Sequence, residues 1–295
     1  MKKIFTVLCI TLLLFYAGCG KEQVVEMETT AVLATPVETP APTPEVTETP
    51  LPTEIPEVIA EHSIARLLLL AKEPLGQTMY VWGGGWNEED TGAGEEARSL
   101  GVSPTWAQFE AIQDASYDYN DTRYQIHNGL DCSGYIGWLV YNLFETEDGK
   151  EGYVMKATDM AADFAMRGWG DFTDATEVTD WQAGDIMSMK GHVWMALGMC
   201  EDGSVVLLHS SPPGVSLSGT RLEDGSVSQA ELLADEYMSK YYPDWYERFP
   251  VTGRDYKYLT DSSRMRWSED ILSDEQGLRG MSAEEVLQWL FAEHQ

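Results

Sequence analysis

The chain has 295 residues, ten of them Trp and fourteen Tyr, and a formal net charge of −30. That aromatic supply suffices for one sizeable buried core. The acidity excludes a phosphate-backbone partner such as a nucleic acid, which needs a basic surface, and keeps the body of the protein off anionic membrane surfaces.

Lys2 and Lys3 precede an apolar stretch from Ile4 to Tyr16. A membrane span needs about 20 apolar residues, so this shorter stretch reads as the core of a secretory signal. Tyr16-Ala17-Gly18-Cys19 follows. It is similar to the bacterial lipobox, whose first position is usually Leu. The similarity implies a signal peptide over 1–18, lipidation of Cys19 and an address on the extracellular side of the bacterial cell membrane. The alternative is ordinary secretion, with Cys19 discarded.

Residues 19–60 read as a lipid-anchored linker. Positions 21–60 hold seven Pro, eight Glu and eight Thr, a composition that cannot bury enough apolar surface to order itself. At about 3.1 Å per residue in an extended polyproline conformation, such a tether reaches roughly 120 Å.

Order is expected from residue 61. Ile64 to Lys72 is a run of good helix formers stopped by Pro74 and Gly76. Tyr80-Val81-Trp82 closes on the glycine turn 83–85. Residues 86–130 are polar, with one helix expected near Ser103-Pro104-Thr105 that presents Trp106, Phe109 and Ile112. Asp131-Cys132-Ser133-Gly134 opens an apolar helix to about Phe144, and a further helix covers Asp159 to Met166. Strands are expected over 184–189, 191–197, 204–209 and 215–217. Ser228-x-x-Glu231 and Ser282-x-x-Glu285 each open a helix. Helices followed by an antiparallel meander define an α+β fold.

Chemistry concentrates at one cysteine. With Cys9 in the signal and Cys19 lipidated, only Cys132 and Cys200 remain in the exported body, too few for a disulfide framework. A nucleophilic Cys works as the thiolate, which a helix N-terminus favours, and Cys132 stands where Asp131 can cap such a helix. Its base must be a His oriented by a third polar group. His192 and His209 lie on neighbouring expected strands, whereas His62, His127 and His294 lie at an edge, in a loop and at the end. Cys200 has no such company and reads as structural. No metal-ligand spacing is present, no P-loop Lys follows the glycines, and no cofactor is expected.

These segments resemble, in order, the NlpC-type cell-wall cysteine peptidases: Tyr80-Val81-Trp82-Gly83-Gly84, Asp131-Cys132-Ser133-Gly134, Gly184-Asp185, Gly191-His192-Val193 with Gly198, and Leu208-His209-Ser210. The resemblance spans about residues 64–217. It implies a papain-like fold, with an N-terminal helical part carrying Cys132 packed on an antiparallel sheet carrying both His residues. It implies Cys132 as nucleophile, His192 as base and His209 as its orienting partner. It places Tyr80 beside the oxyanion and Asp131 and Ser133 along the substrate subsites. The implied substrate is the peptidoglycan stem peptide, cut after γ-D-glutamate before a diamino acid.

Tyr80 and Cys132 are 52 positions apart, where the family usually has about a dozen, so 86–130 reads as an insertion. It is expected to wall the cleft and to be removable without loss of the fold. The peptidase domain is accordingly set at 61–224, with a helical extension over 225–295 packed on it. Two other readings stand beside the endopeptidase: a papain-like wall amidase cutting the sugar–peptide link, and a non-catalytic lipoprotein binding wall fragments.

Overall fold

The computed structural model describes residues 59–144 and 151–292. The expected signal, the expected lipidation at Cys19 and nearly all of the expected linker therefore lie outside the described residues. Eight α-helices are described: α1 (Ile64–Lys72), α2 (Pro104–Glu110), α3 (Cys132–Phe144), α4 (Met160–Met166), α5 (Gln229–Tyr241), α6 (Pro243–Arg248), α7 (Lys257–Thr260) and α8 (Ala283–Leu290). The strands are β1 (Gly170–Thr173), β2 (Ile186–Met189), β3 (His192–Met199), β4 (Val205–Ser211), β5 (Gly214–Gly219) and β6 (Ser263–Trp267). The fold is mixed α+β around one antiparallel sheet of order β1-β6-β2-β3-β4-β5. Among the described residues no helix is long and apolar enough to cross a membrane.

The helices form where caps and apolar faces dictate. Ser63 caps α1 by accepting the Arg66 N–H, and the Lys72 ammonium in its last turn donates to the Leu290 carbonyl at the end of α8. Every residue of α3 from Cys132 to Leu143 is buried, as expected for a helix apolar on all sides that runs through a core. Ser282 and Glu285 form a reciprocal capping box. Ser228 accepts the Glu231 N–H, but the Glu231 carboxylate turns away to Arg221 and the Gly253 N–H.

Alternation gives the sheet two buried faces. Val193, Met195 and Leu197 of β3 join the main core with α1 and α3. Trp194 and Ala196, with Leu207 of β4, face a second cluster capped by Leu259 of α7 and flanked by Tyr256 and Tyr258. His192 and His209 fall on this second face by the same period.

Two expectations need correction. The region after residue 224 is not purely helical, because β6 lies between β1 and β2 and pairs with both. The sheet therefore has no boundary at 224. Ser263-Arg264-Met265-Arg266-Trp267 alternates, but two arginines hide the apolar period. Both are engaged: Arg266 grips Asp185 at 2.6 and 2.8 Å and Asp180 at 2.9 Å, and Arg264 donates to Asp180 at 2.7 Å. Nor is segment 86–130 removable. Trp106 of α2 is fully buried and packs edge-on against Trp138 of α3, 6.0 Å between centroids. Glu110 also pairs with Arg248 of α6.

Candidate active site

Cys132 is the first residue of α3 and only 7% exposed. Asp131, just before the helix, accepts the Gly134 N–H at 2.7 Å, which caps the third position of the first turn. Burial pushes the Cys132 thiol up to about 12, and the Asp131 carboxylate adds to that. The N–H groups of Val193, Ser133 and Cys132 itself act in the opposite direction. Val193 directly follows His192, so the thiol lies against the backbone where β3 begins.

His192 Nε2 lies 3.0 Å from His209 Nδ1, with the rings 5.2 Å apart at 78°. Burial drives His192 down to about 3, and the charge of Arg254 adds to the effect. His209 is wholly buried and is lowered well below the ordinary imidazole range by burial, then by Arg254 and His192. The pair therefore rests neutral. For Nδ1 of His192 to take a proton, its Nε2 must carry hydrogen and donate to His209 Nδ1. His209 then carries hydrogen on Nε2, which has no hydrogen-bond partner among the described residues.

Tyr80 is buried and tied down at its backbone. Its N–H donates to the Pro213 carbonyl at 2.8 Å and its carbonyl accepts the Tyr117 hydroxyl at 2.7 Å. Its ring stands edge-on to Tyr119. Burial first, then the neighbouring Cys132 and Asp131, hold its pKa far above the ordinary phenol, so the hydroxyl stays a donor beside the thiol.

Asp131 and Ser133, on either side of Cys132, are joined in a brace that reaches Trp86. Trp86 Nε1 donates to Ser133 Oγ at 3.0 Å, which donates to Asp131 Oδ1 at 2.8 Å. Burial raises the Asp131 carboxyl to about 6, against bonds from Gly134, Ser133 and Gly83. Gly83, Trp86, Asn87, Tyr124 and His127 line a cavity of about 440 Å³ on the outer side of this brace. Both side chains thus anchor the start of α3.

Two residues escaped the sequence reading. The Tyr258 ring lies 5.5 Å from His192 and 6.3 Å from His209. Arg254 is bonded through its backbone to Gly219 and Arg221 at the end of β5 and bears electrostatically on both imidazoles. Neither sits in a local pattern that marks it, since Arg254 comes from the irregular stretch before the short α7 and Tyr258 from α7 itself. Among the described residues, no three His, Cys, Asp or Glu side chains converge as a metal set would. Cys200 is a free thiol that borders a separate cavity with Glu201, Gln229 and Leu232.

Comparison with known proteins found no matching family model, no matching curated protein and no matching solved structure.

Proposed function

We propose that this chain is a cysteine peptidase of the NlpC type, papain-like in fold, that hydrolyses peptidoglycan stem peptides, with the γ-D-glutamyl–diamino acid bond as its target. The observation that carries the reading is the arrangement of Cys132 at the head of α3, its sulfur reached by the N–H of Val193, the residue that directly follows a His192 bonded to His209. A buried thiol at a helix N-terminus next to an oriented imidazole is the equipment of acyl transfer.

In this mechanism the thiol gives its proton to His192 Nδ1 as sulfur attacks the scissile carbonyl. The Cys132 N–H and the Tyr80 hydroxyl stabilise the oxyanion. His192, held by His209, protonates the departing amine, and water releases the thioester with His192 as base. The Cys19 lipid would hold the enzyme at the membrane and the Pro/Thr/Glu linker would lift it toward the wall. Asp131 and Ser133 serve here by fixing the attitude of α3.

One observation favours the binding-lipoprotein reading: Cys132 is only 7% exposed. Digestion of purified peptidoglycan and of free stem tripeptide and tetrapeptide, with product masses compared between wild type and Cys132→Ala, separates the two. Products split after D-glutamate with wild type alone support the peptidase. A split at the sugar–peptide link points to the amidase. No product with either protein overturns the enzymatic reading.

A further inference from the structure

The bond between the two imidazoles fixes only part of the geometry that a base needs. His192 Nε2 and His209 Nδ1, 3.0 Å apart, hold one corner of the His192 ring and leave the ring free to pivot about that contact. Every pivot swings the other ring nitrogen, the one that must take the proton. Water is a second hazard, because it can replace either member of a neutral hydrogen bond at little cost. His192 is itself only half-buried. Something further must stop the pivot and keep water off the bond.

Tyr258 stands where both can be done. Its ring centroid lies 5.5 Å from that of His192, at a tilt of 57°, and 6.3 Å from that of His209, at 75°. One ring therefore touches both members of the pair. The wholly buried Trp194, two positions along β3 from His192, packs on the same ring at 5.8 Å. Tyr258 is half-buried, which sets it at the boundary between the pair and solvent. Burial raises the pKa of its phenol, so the ring stays neutral and acts on the pair by contact and by excluding water rather than by charge. A bond shielded in this way is stronger than one open to solvent.

The seat of the ring is fixed from both sides. Before α7, the Arg254 N–H donates to the Gly219 carbonyl at 2.8 Å and the Arg254 carbonyl accepts the Arg221 N–H at 2.7 Å, which ties the chain to the end of β5. Leu259, 5% exposed, sinks into the second core cluster. Just after α7, Ser262 accepts the Trp194 Nε1–H at 3.1 Å. Tyr258 thus presses on the imidazoles from an anchored position.

We propose that Tyr258 is a positioning residue whose ring clamps the His192 imidazole in the attitude set by His209 and shields the bond between them from water. As an aid to catalysis this rests on His192 being the base for Cys132; as a clamp on the pair it is tested separately. It gives the C-terminal segment a part in the site.

The test compares full-length wild type, Tyr258→Phe and Tyr258→Leu, each checked for folding by thermal melting. Imidazole nitrogen NMR reads the clamp without reference to activity. Wild type and Tyr258→Phe should show separate protonated and unprotonated nitrogen signals for His192, and in Tyr258→Leu the two should move toward their average as the ring is released. On a free stem tripeptide, Tyr258→Leu should lower kcat about tenfold to a hundredfold with KM within about twofold, the signature of misplaced chemistry rather than lost binding, and Tyr258→Phe should restore kcat to within about threefold. Should Tyr258→Leu fail to fold, Tyr258→Met, which fills the space without a planar ring, takes its place under the same criteria. Averaged signals already in wild type, or separate signals in the Leu variant, overturn the clamp. So does a loss in Tyr258→Phe as large as in Tyr258→Leu, which would assign the effect to the hydroxyl, or a change confined to KM, which would make Tyr258 a substrate contact. Signals that average only in Tyr258→Leu, with no cleavage even by wild type, support the clamp and overturn the peptidase reading alone.

Discussion

Replacing Arg266 with Met removes the partner of a carboxylate that has nowhere else to go. Asp185 is 2% exposed and is held by the Arg266 fork at 2.6 and 2.8 Å, with the Gln182 N–H at 2.9 Å as its other donor. Burial already raises its pKa, and Arg266 is the main influence holding it down. Breaking a buried pair costs about 3 to 5 kcal/mol. Protonation of Asp185 sets a ceiling on that loss: at pH 7, neutralising a carboxyl of ordinary pKa costs about 4 kcal/mol. Arg266→Met should therefore lose about 3 to 4 kcal/mol at pH 7, or roughly 10 °C in Tm for a unit of this size. At pH 5 the same ceiling drops to about 1.5 kcal/mol. The sign follows from linkage: in the variant the folded Asp185 pKa stands above its unfolded value, so the deficit grows as pH rises between the two. Thermal melts of wild type and variant at pH 5 and 7 read both quantities. A Tm within about 1 °C of wild type at pH 7, or a deficit that does not shrink at pH 5, would refute the view that β6 is locked into the sheet by this pair.

Three further outcomes are expected. His209→Leu leaves His192 without its Nε2 partner and should lower kcat/KM about tenfold to a hundredfold, whereas His209→Asn, which keeps an acceptor, should retain most of the rate; equal losses in both would remove the orienting role. Ser133→Ala strands the Nε1 of the half-buried Trp86 and cuts its link to Asp131, at about 1 to 2 kcal/mol in denaturant unfolding; an unchanged midpoint would show that the brace carries no load. With the thiol at about 12 and His192 at about 3, alkylation of Cys132 should climb about tenfold per pH unit from pH 6 to 9. A plateau across that range would instead reveal a preformed thiolate–imidazolium pair.

Much of the architecture could be read from the residues because local and global preferences agree. Helix α3 is legible from an unbroken apolar run behind a capping Asp131, and β2 to β5 from short apolar segments set off by glycines. The histidine pair was legible as two imidazoles on adjacent strands, and its 3.0 Å contact needs only the register of β3 against β4. Strand β6 was not legible, since its arginines become favourable only once Asp180 and Asp185 are beside them. Trp106 could have faced solvent or core until α3 offered Trp138. Arg254 and Tyr258 escaped for the same reason: they matter through residues about 45 to 65 positions away, a distance at which one sequence carries no periodic signal.

The central claim is that Cys132 forms a covalent bond to the acyl half of a stem peptide. The direct measurement is the intact mass of the enzyme after acid quench during turnover of a free stem tripeptide, with the adduct located by peptide mapping. A mass increase equal to the L-alanyl-D-glutamyl fragment at Cys132, absent in Cys132→Ala, is the predicted result. Cleavage with no adduct at Cys132, or cleavage undiminished in Cys132→Ala, would contradict it.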